Sequence, residues 1–280
     1  MHVWPTTEGL RIAADSWGDP GGPLVLLMHG GGQSRHAWRT TGRNLGEAGY
    51  HAVAVDLRGH GDSEWSPEGD YSQDAYVRDI EAVIHALGGR TAVLVGASLG
   101  AGNGLVAVGE DRVDAAALVL VDFVPRTERA GFERLQAFMR AHGDGFASLE
   151  EVSDAITAFR GGGQRPAALD GLAKVVRRGN DGRYRWHWDP RQLDWRVREY
   201  PTRHVRLSAS AHRLGIPTLL VRGGSSDVVS EEGAREFLDL CPHAEYINLA
   251  GAGHMLVGDR NDTFGQALIP FLVREVPVLR

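Results

Sequence analysis

The residues whose types and spacing suit nucleophilic chemistry are one serine between glycines, one late histidine, and aspartates that follow apolar runs. The stretch "AVLVGASLGAGNG" (Ala92–Gly104) carries Ser98 between Gly96 and Gly100, directly after small and β-branched residues. A hydroxyl is a poor nucleophile until a base takes its proton, and the oxyanion formed on attack needs donors already in place. Gly-x-Ser-x-Gly permits a sharp strand-to-helix turn that lifts the hydroxyl above the strand ends. The same turn aims the Leu99 N–H and a helix N-terminus at the developing charge. "LLMHGGG" (Leu26–Gly32) follows an earlier apolar run and supplies a second backbone donor, for which Gly31 is the candidate. "LLVRGGSSDVVS" places Asp227 after a late run, and "NLAGAGHMLVGD" places His254 after the last. The order Ser98, Asp227, His254 is nucleophile, acid, base: His254 the general base, Asp227 its orienting carboxylate.

These residues need elements to bring them together. Short apolar runs at Pro23–Gly30, His51–Asp56, Thr91–Gly96, Ala116–Asp122, Pro217–Gly223 and Ala244–Gly251 read as strands buried on both faces. Amphipathic stretches at Trp38–Ala48, Ser72–Leu87, Leu99–Val108, Glu231–Leu240 and Thr263–Val276 alternate with them, which predicts a doubly wound α/β sheet. In such a sheet the loops that carry all three residues emerge at the carboxyl ends of the strands, where ligands bind. The alternation stops between Phe123 and about Ala211. That stretch has helical patterns at Arg129–Ala141 and Leu149–Ala158 and no clear strand run, so it is expected to form a mostly helical cap. The organisation expected is a core of residues 1–122 and 212–280 with a cap of residues 123–211.

Composition narrows the function classes. The 280 residues are 42% hydrophobic, enough for a sizeable core, and 30 Lys+Arg against 36 Asp+Glu give a net charge of −6 with no basic stripe. Nucleic acid and anionic membranes are therefore unexpected partners. Cys241 is the only cysteine, which excludes an internal disulfide and a Cys-based zinc site. With no secretory pattern at the N-terminus and no apolar run of spanning length, the expectation is a soluble cytoplasmic protein, monomer or homodimer.

The glycines Gly96, Gly100 and Gly102 have a spacing that resembles the cofactor loop of short-chain dehydrogenases. That loop follows a first strand, however, and the Tyr-x-x-x-Lys pair of such enzymes is impossible here: Lys174 is the only lysine and Asp170 stands four residues before it. The serine pattern, the His-Gly-Gly-Gly turn, "VDLRGHGDS" (Val55–Ser63) and the Ser98, Asp227, His254 order instead resemble the α/β-hydrolase superfamily over Leu10–Leu120 and Pro217–Val276. The resemblance implies an α/β-hydrolase fold: a mostly parallel sheet of about eight strands with a cap after the sixth, here at Asp122. It also implies no metal and no organic cofactor. Some members carry the acid after the sixth strand, which makes Asp122 the alternative to Asp227. Members that pass through an alkyl-ester intermediate, the haloalkane dehalogenases and epoxide hydrolases, use an aspartate at the elbow; a serine points to acyl transfer.

The expected substrate is a small molecule with an ester-like carbonyl: a small-to-medium carboxylic ester or lactone. Carbon–carbon cleavage of a diketone, a cofactor-free haloperoxidase or perhydrolase side activity, and a non-catalytic small-ligand receptor are the alternatives on the same scaffold. Gly30, Phe123, Trp186, Trp188 and Met255 are candidate pocket residues. His29 and His60 read as turn-organising residues that bond to backbone. Arg126 and Arg183 are of a type that could grip a carboxylate, but in a chain this rich in arginine they read as solvated.

Overall fold

The computed structural model describes residues 1–159, 171–172, 175–251, 253 and 261–278. Eight strands form one sheet in the order β1-β2-β4-β3-β5-β6-β9-β10. The strands are β1 (His2–Pro5), β2 (Arg11–Trp17), β3 (Leu24–Met28), β4 (His51–Val55), β5 (Ala92–Ala97), β6 (Ala115–Val121), β9 (Thr218–Gly223) and β10 (Glu245–Leu249). From β4 to β10 the pairing is parallel, while β1 and β2 pair antiparallel at one edge. The six parallel strands are those that the apolar runs mark. Strand β1, at the edge, is largely exposed, and β2 beside it has three buried residues followed by the polar Asp15 and Ser16, so hydrophobic runs do not reveal them.

Alternation along each central strand divides the core into two layers. Leu24, Leu26 and Met28 of β3 face α2 (Gln73–Ala86), α3 (Leu99–Gly109) and α7 (Glu231–Leu240). Val25 and Leu27 face α1 (Arg39–Glu47) and α8 (Asn261–Glu275), where Leu45, Phe264 and Leu268 close the second layer. Ser72 caps α2 by accepting from the Ala75 N–H at 3.2 Å, and Ser230 caps α7 by accepting from Gly233 at 3.1 Å.

Between β6 and β9 the chain leaves the sheet. It forms α4 (Arg129–Arg140), α5 (Leu149–Phe159), a hairpin of β7 (Val176–Arg178) and β8 (Tyr184–Trp186), and α6 (Gln192–His212). The stretch is thus mainly helical but does hold two short strands, which three-residue pairings leave without a readable sequence period. Helix α6 was not legible either, since Pro201 lies inside it and charged residues crowd it. Its C-terminal part, Leu207 and Ala211, packs into the core with Leu105 and Val108 of α3, while its N-terminal part lies with the inserted elements.

Candidate active site

Ser98 sits between β5 and α3 with φ +45° and ψ −101°, a conformation that side-chain-bearing residues rarely adopt. Such strain costs about 1–3 kcal/mol and persists only where the surroundings impose it. Here they do. A Cβ at Gly100 would lie 2.5 Å from the Met28 carbonyl oxygen, and one at Gly96 would lie 2.6 Å from Ala101 Cα. Only glycines let α3 start so close to β3 and β5. The Ser98 amide is tied to Val121 O at 3.1 Å, its side chain caps nothing in the helix, and it remains partly exposed among buried neighbours.

The amides around it divide into engaged and free. Gly30 donates to Gln33 Oε1 at 3.0 Å, Gly32 to His60 Nε2 at 3.2 Å, and Gly100 to His29 O at 3.1 Å. Gly31 and Leu99 donate to no acceptor among the described residues. Gly30 adjoins the serine, since a Cβ on it would be 3.5 Å from Ser98 Cβ.

Two histidines hold this loop. His29 Nδ1 lies 2.7 Å from Gly30 O while its Nε2 accepts from the Leu57 N–H at 3.0 Å; His60 Nδ1 lies 3.1 Å from Arg58 O while its Nε2 accepts from Gly32. Each ring spends both nitrogens on backbone groups, which leaves neither as a base. Burial pushes both pKa values down, His60 well below its ordinary value. Asp56, fully buried, braces the same region by accepting from the Arg35 and Asp62 amides at 2.6 and 2.8 Å and pairing with the Arg35 guanidinium.

The two candidate acids have different surroundings. Asp122, at the end of β6, has φ +47° and is 1% exposed. Its Oδ1 accepts from the Gly223 N–H at 2.8 Å, and its Oδ2 accepts from Ser226 Oγ at 2.6 Å. Asp227 has a side chain 39% exposed and pairs with Arg134 of α4 at 2.6 Å. The structure therefore places Asp122 at the carboxyl end of the strand next to β5, and Asp227 on an outward ion pair with an inserted helix. Ser226, which sequence reasoning passed over, is the residue that joins the two loops. His254 and Met255 lie outside the described residues.

The other expected residues distribute as follows. Trp188 is 4% exposed and covers the Gly30–Gly32 turn: a Cβ on Gly32 would be 3.4 Å from its ring. Trp186 stacks on Trp188, with ring centroids 4.8 Å apart, and packs against Phe138 and Phe146. Phe123 is buried beneath the Arg203 guanidinium, 5.5 Å from its ring centroid. Beside it a cleft of about 610 Å³ opens between α6 and α7, with Ser98 not among its walls. Arg126 pairs with Glu236 on the surface and Arg183 bonds to Asp144 O and Gly145 O, so neither faces Ser98. The arginines that do approach the site are Arg196 and Arg203 of α6. A Cβ on Gly31 would overlap Arg196 Nη1, and one on Gly102 would overlap Arg203 Nη2. Their signal in the sequence was a spacing of seven residues, which puts both on one helix face.

The model of the alpha/beta hydrolase fold family matches residues 23–260. The chain is an α/β-hydrolase. Relatives of this hydrolase include esterase Rv0045c of Mycobacterium tuberculosis, 30% identical over 257 residues, or 89% of this chain and 82% of that one. A 2-(acetamidomethylene)succinate hydrolase of Mesorhizobium japonicum is 28% identical over 83% of this chain and 82% of its own. Among solved structures, that of E-2-(acetamidomethylene)succinate hydrolase superposes with a TM-score of 0.84 at 24% identity, covering 97% of this chain and 99% of the other. The eight-stranded sheet and the hydrolase class that the sequence led us to expect are both borne out. No helix among the described residues is long and apolar enough to cross a membrane.

Proposed function

We propose that this hydrolase cleaves a small-to-medium carboxylic ester through an acyl-enzyme on Ser98, with His254 as general base and Asp122 as the acid. The observation that carries the reading is Ser98 held at φ +45° at the N-terminus of α3, its hydroxyl spent on no helix cap and two uncommitted amides beside it. His254 takes the proton from Ser98 Oγ as the oxygen attacks the carbonyl carbon. The Gly31 and Leu99 N–H groups hold the oxyanion, and on collapse His254 gives the proton to the departing alcohol. Water, deprotonated by the same imidazole, then releases the acid.

Asp122 takes the acid's role in place of Asp227 for a physical reason. A carboxylate that orients an imidazolium works best when desolvated and locked, and Asp122 is both, through the Gly223 amide and Ser226 Oγ. Asp227 already spends its charge on Arg134 at the surface. The inserted residues 123–211 act in this reading as a cap, with Trp188 walling the oxyanion loop. The likeness to an esterase over most of both chains supports the ester as substrate. The test is hydrolysis of a para-nitrophenyl ester series by wild type and Ser98→Ala. Turnover by wild type that falls to background in the variant supports the reading, and equal turnover by both overturns it.

A further inference from the structure

Helix α6 carries a cation, Arg196, over the Gly30–Gly32 turn that no carboxylate among the described residues neutralises. The buried arginines of the core each hold a carboxylate: Arg35 pairs with Asp15, Asp56 and Asp62, Arg58 with Asp79 and Glu8, and Arg222 with Glu231. Arg196 differs. Its Nε and Nη1 are enclosed and have no hydrogen-bond partner among the described residues. The guanidinium lies over Phe132, 5.9 Å from the ring centroid, and against the backbone of Gly31.

The titratable groups that interact electrostatically with it are Tyr76, His60 and Arg203. None is an anion. Tyr76 Oη is itself buried without a partner, and burial keeps its proton on, so it too is a donor awaiting an acceptor. Of the acids on α6, Asp194 pairs with Arg140, and Glu199 accepts from the Gln73 N–H and interacts with Arg203. Enclosed guanidinium nitrogens and a buried hydroxyl with nothing to bind cost stability, and folds keep such groups where a ligand completes them.

We infer that Arg196, with Tyr76 beside it, binds a carboxylate carried on the acyl part of the substrate, so that the preferred ester is a half-ester of a short dicarboxylic acid. The inference rests on the reading of Ser98 and Gly31 given above. Gly31 is the oxyanion donor and Arg196 Nη1 touches its backbone, so the carboxylate must lie only a few bonds from the scissile carbonyl. The guanidinium presents a planar pair of donors that suits a carboxylate in two-point contact, and Arg203 adds positive potential behind it.

Two matched substrates test this, para-nitrophenyl hemiglutarate and para-nitrophenyl valerate, which share chain length and differ in the terminal carboxylate. Wild type is expected to show higher kcat/KM on the hemiglutarate, and Arg196→Gln is expected to lower the hemiglutarate-to-valerate ratio by roughly 10- to 100-fold, with Arg196→Lys between. A ratio that does not move in Arg196→Gln overturns the inference, because a role in the oxyanion or the fold depresses both substrates alike. Binding separates this proposal from the catalytic one. Glutarate is expected to raise the Tm of the Ser98→Ala protein and to lose that effect in Ser98→Ala/Arg196→Gln. Glutarate that stabilises neither protein, or both equally, sinks the carboxylate site even where esters are turned over. Stabilisation of the first alone upholds it even where no ester is cleaved.

Discussion

Ser98 and Asp122 share a backbone feature, a positive φ in a residue with a side chain, at the ends of adjacent strands. Strain of that kind is kept where it aims a group, and it distinguishes the two aspartates better than chain order does. The expected outcome is that Asp122→Asn lowers kcat about 10³- to 10⁴-fold, whereas Asp227→Asn leaves it within a few-fold of wild type. Steady-state kinetics on any ester that wild type cleaves decides the matter; the reverse pattern would return the role to Asp227. Ser226→Ala removes the hydroxyl that donates to Asp122 Oδ2 and should cost less than Asp122→Asn while moving in the same direction. Ser98 was legible as a candidate because Gly-x-Ser-x-Gly after an apolar run has few other uses. A preference between the two aspartates was not, since both follow strands and the backbone conformation, burial and partners that separate them are absent from the sequence.

At the scale of elements, the site depends on how closely α3 approaches the sheet. Gly100→Val should destabilise the protein by about 3 kcal/mol or more, because the branched side chain must displace the β3 backbone at Met28. Urea unfolding measures it, and a midpoint equal to wild type would mean the approach is not as tight as described. The parallel strands and five sheet-packing helices were legible from apolar period alone. Helix α6 was hidden by Pro201 and by its charge, β1 and β2 by their polar residues, and the β7–β8 hairpin by its brevity. Arg196 went unseen for the same reason as the helix that bears it. A residue's orientation cannot be read before its element is.

The whole molecule should feel pH through its buried imidazoles. His29, His60 and His187 all have pKa values lowered by burial, His187 to about 4. Unfolded, each takes a proton near 6.5. The stability that comes from keeping them neutral is therefore fully present above about pH 6.5 and is lost as pH falls from there toward the folded-state values. Thermal unfolding is expected to show a Tm that is flat above pH 7 and declines between pH 6.5 and 5. Each histidine contributes up to about 1.4 kcal/mol per pH unit. His187→Asn, which retains an acceptor for the Gly61 amide that His187 Nδ1 now bonds at 2.7 Å, should make that decline shallower. A Tm that rises on acidification through this window would contradict the burial of the cluster.

An activated Ser98 must react covalently with an electrophilic phosphonate, and labelling shows whether it does. Purified protein is exposed to a fluorophosphonate and its intact mass is measured, with Ser98→Ala and His254→Ala alongside. The expected result is a single adduct on wild type, none on Ser98→Ala, and strongly slowed labelling of His254→Ala. A folded wild type that takes up no label, or a Ser98→Ala protein that labels as fast as wild type, would contradict it.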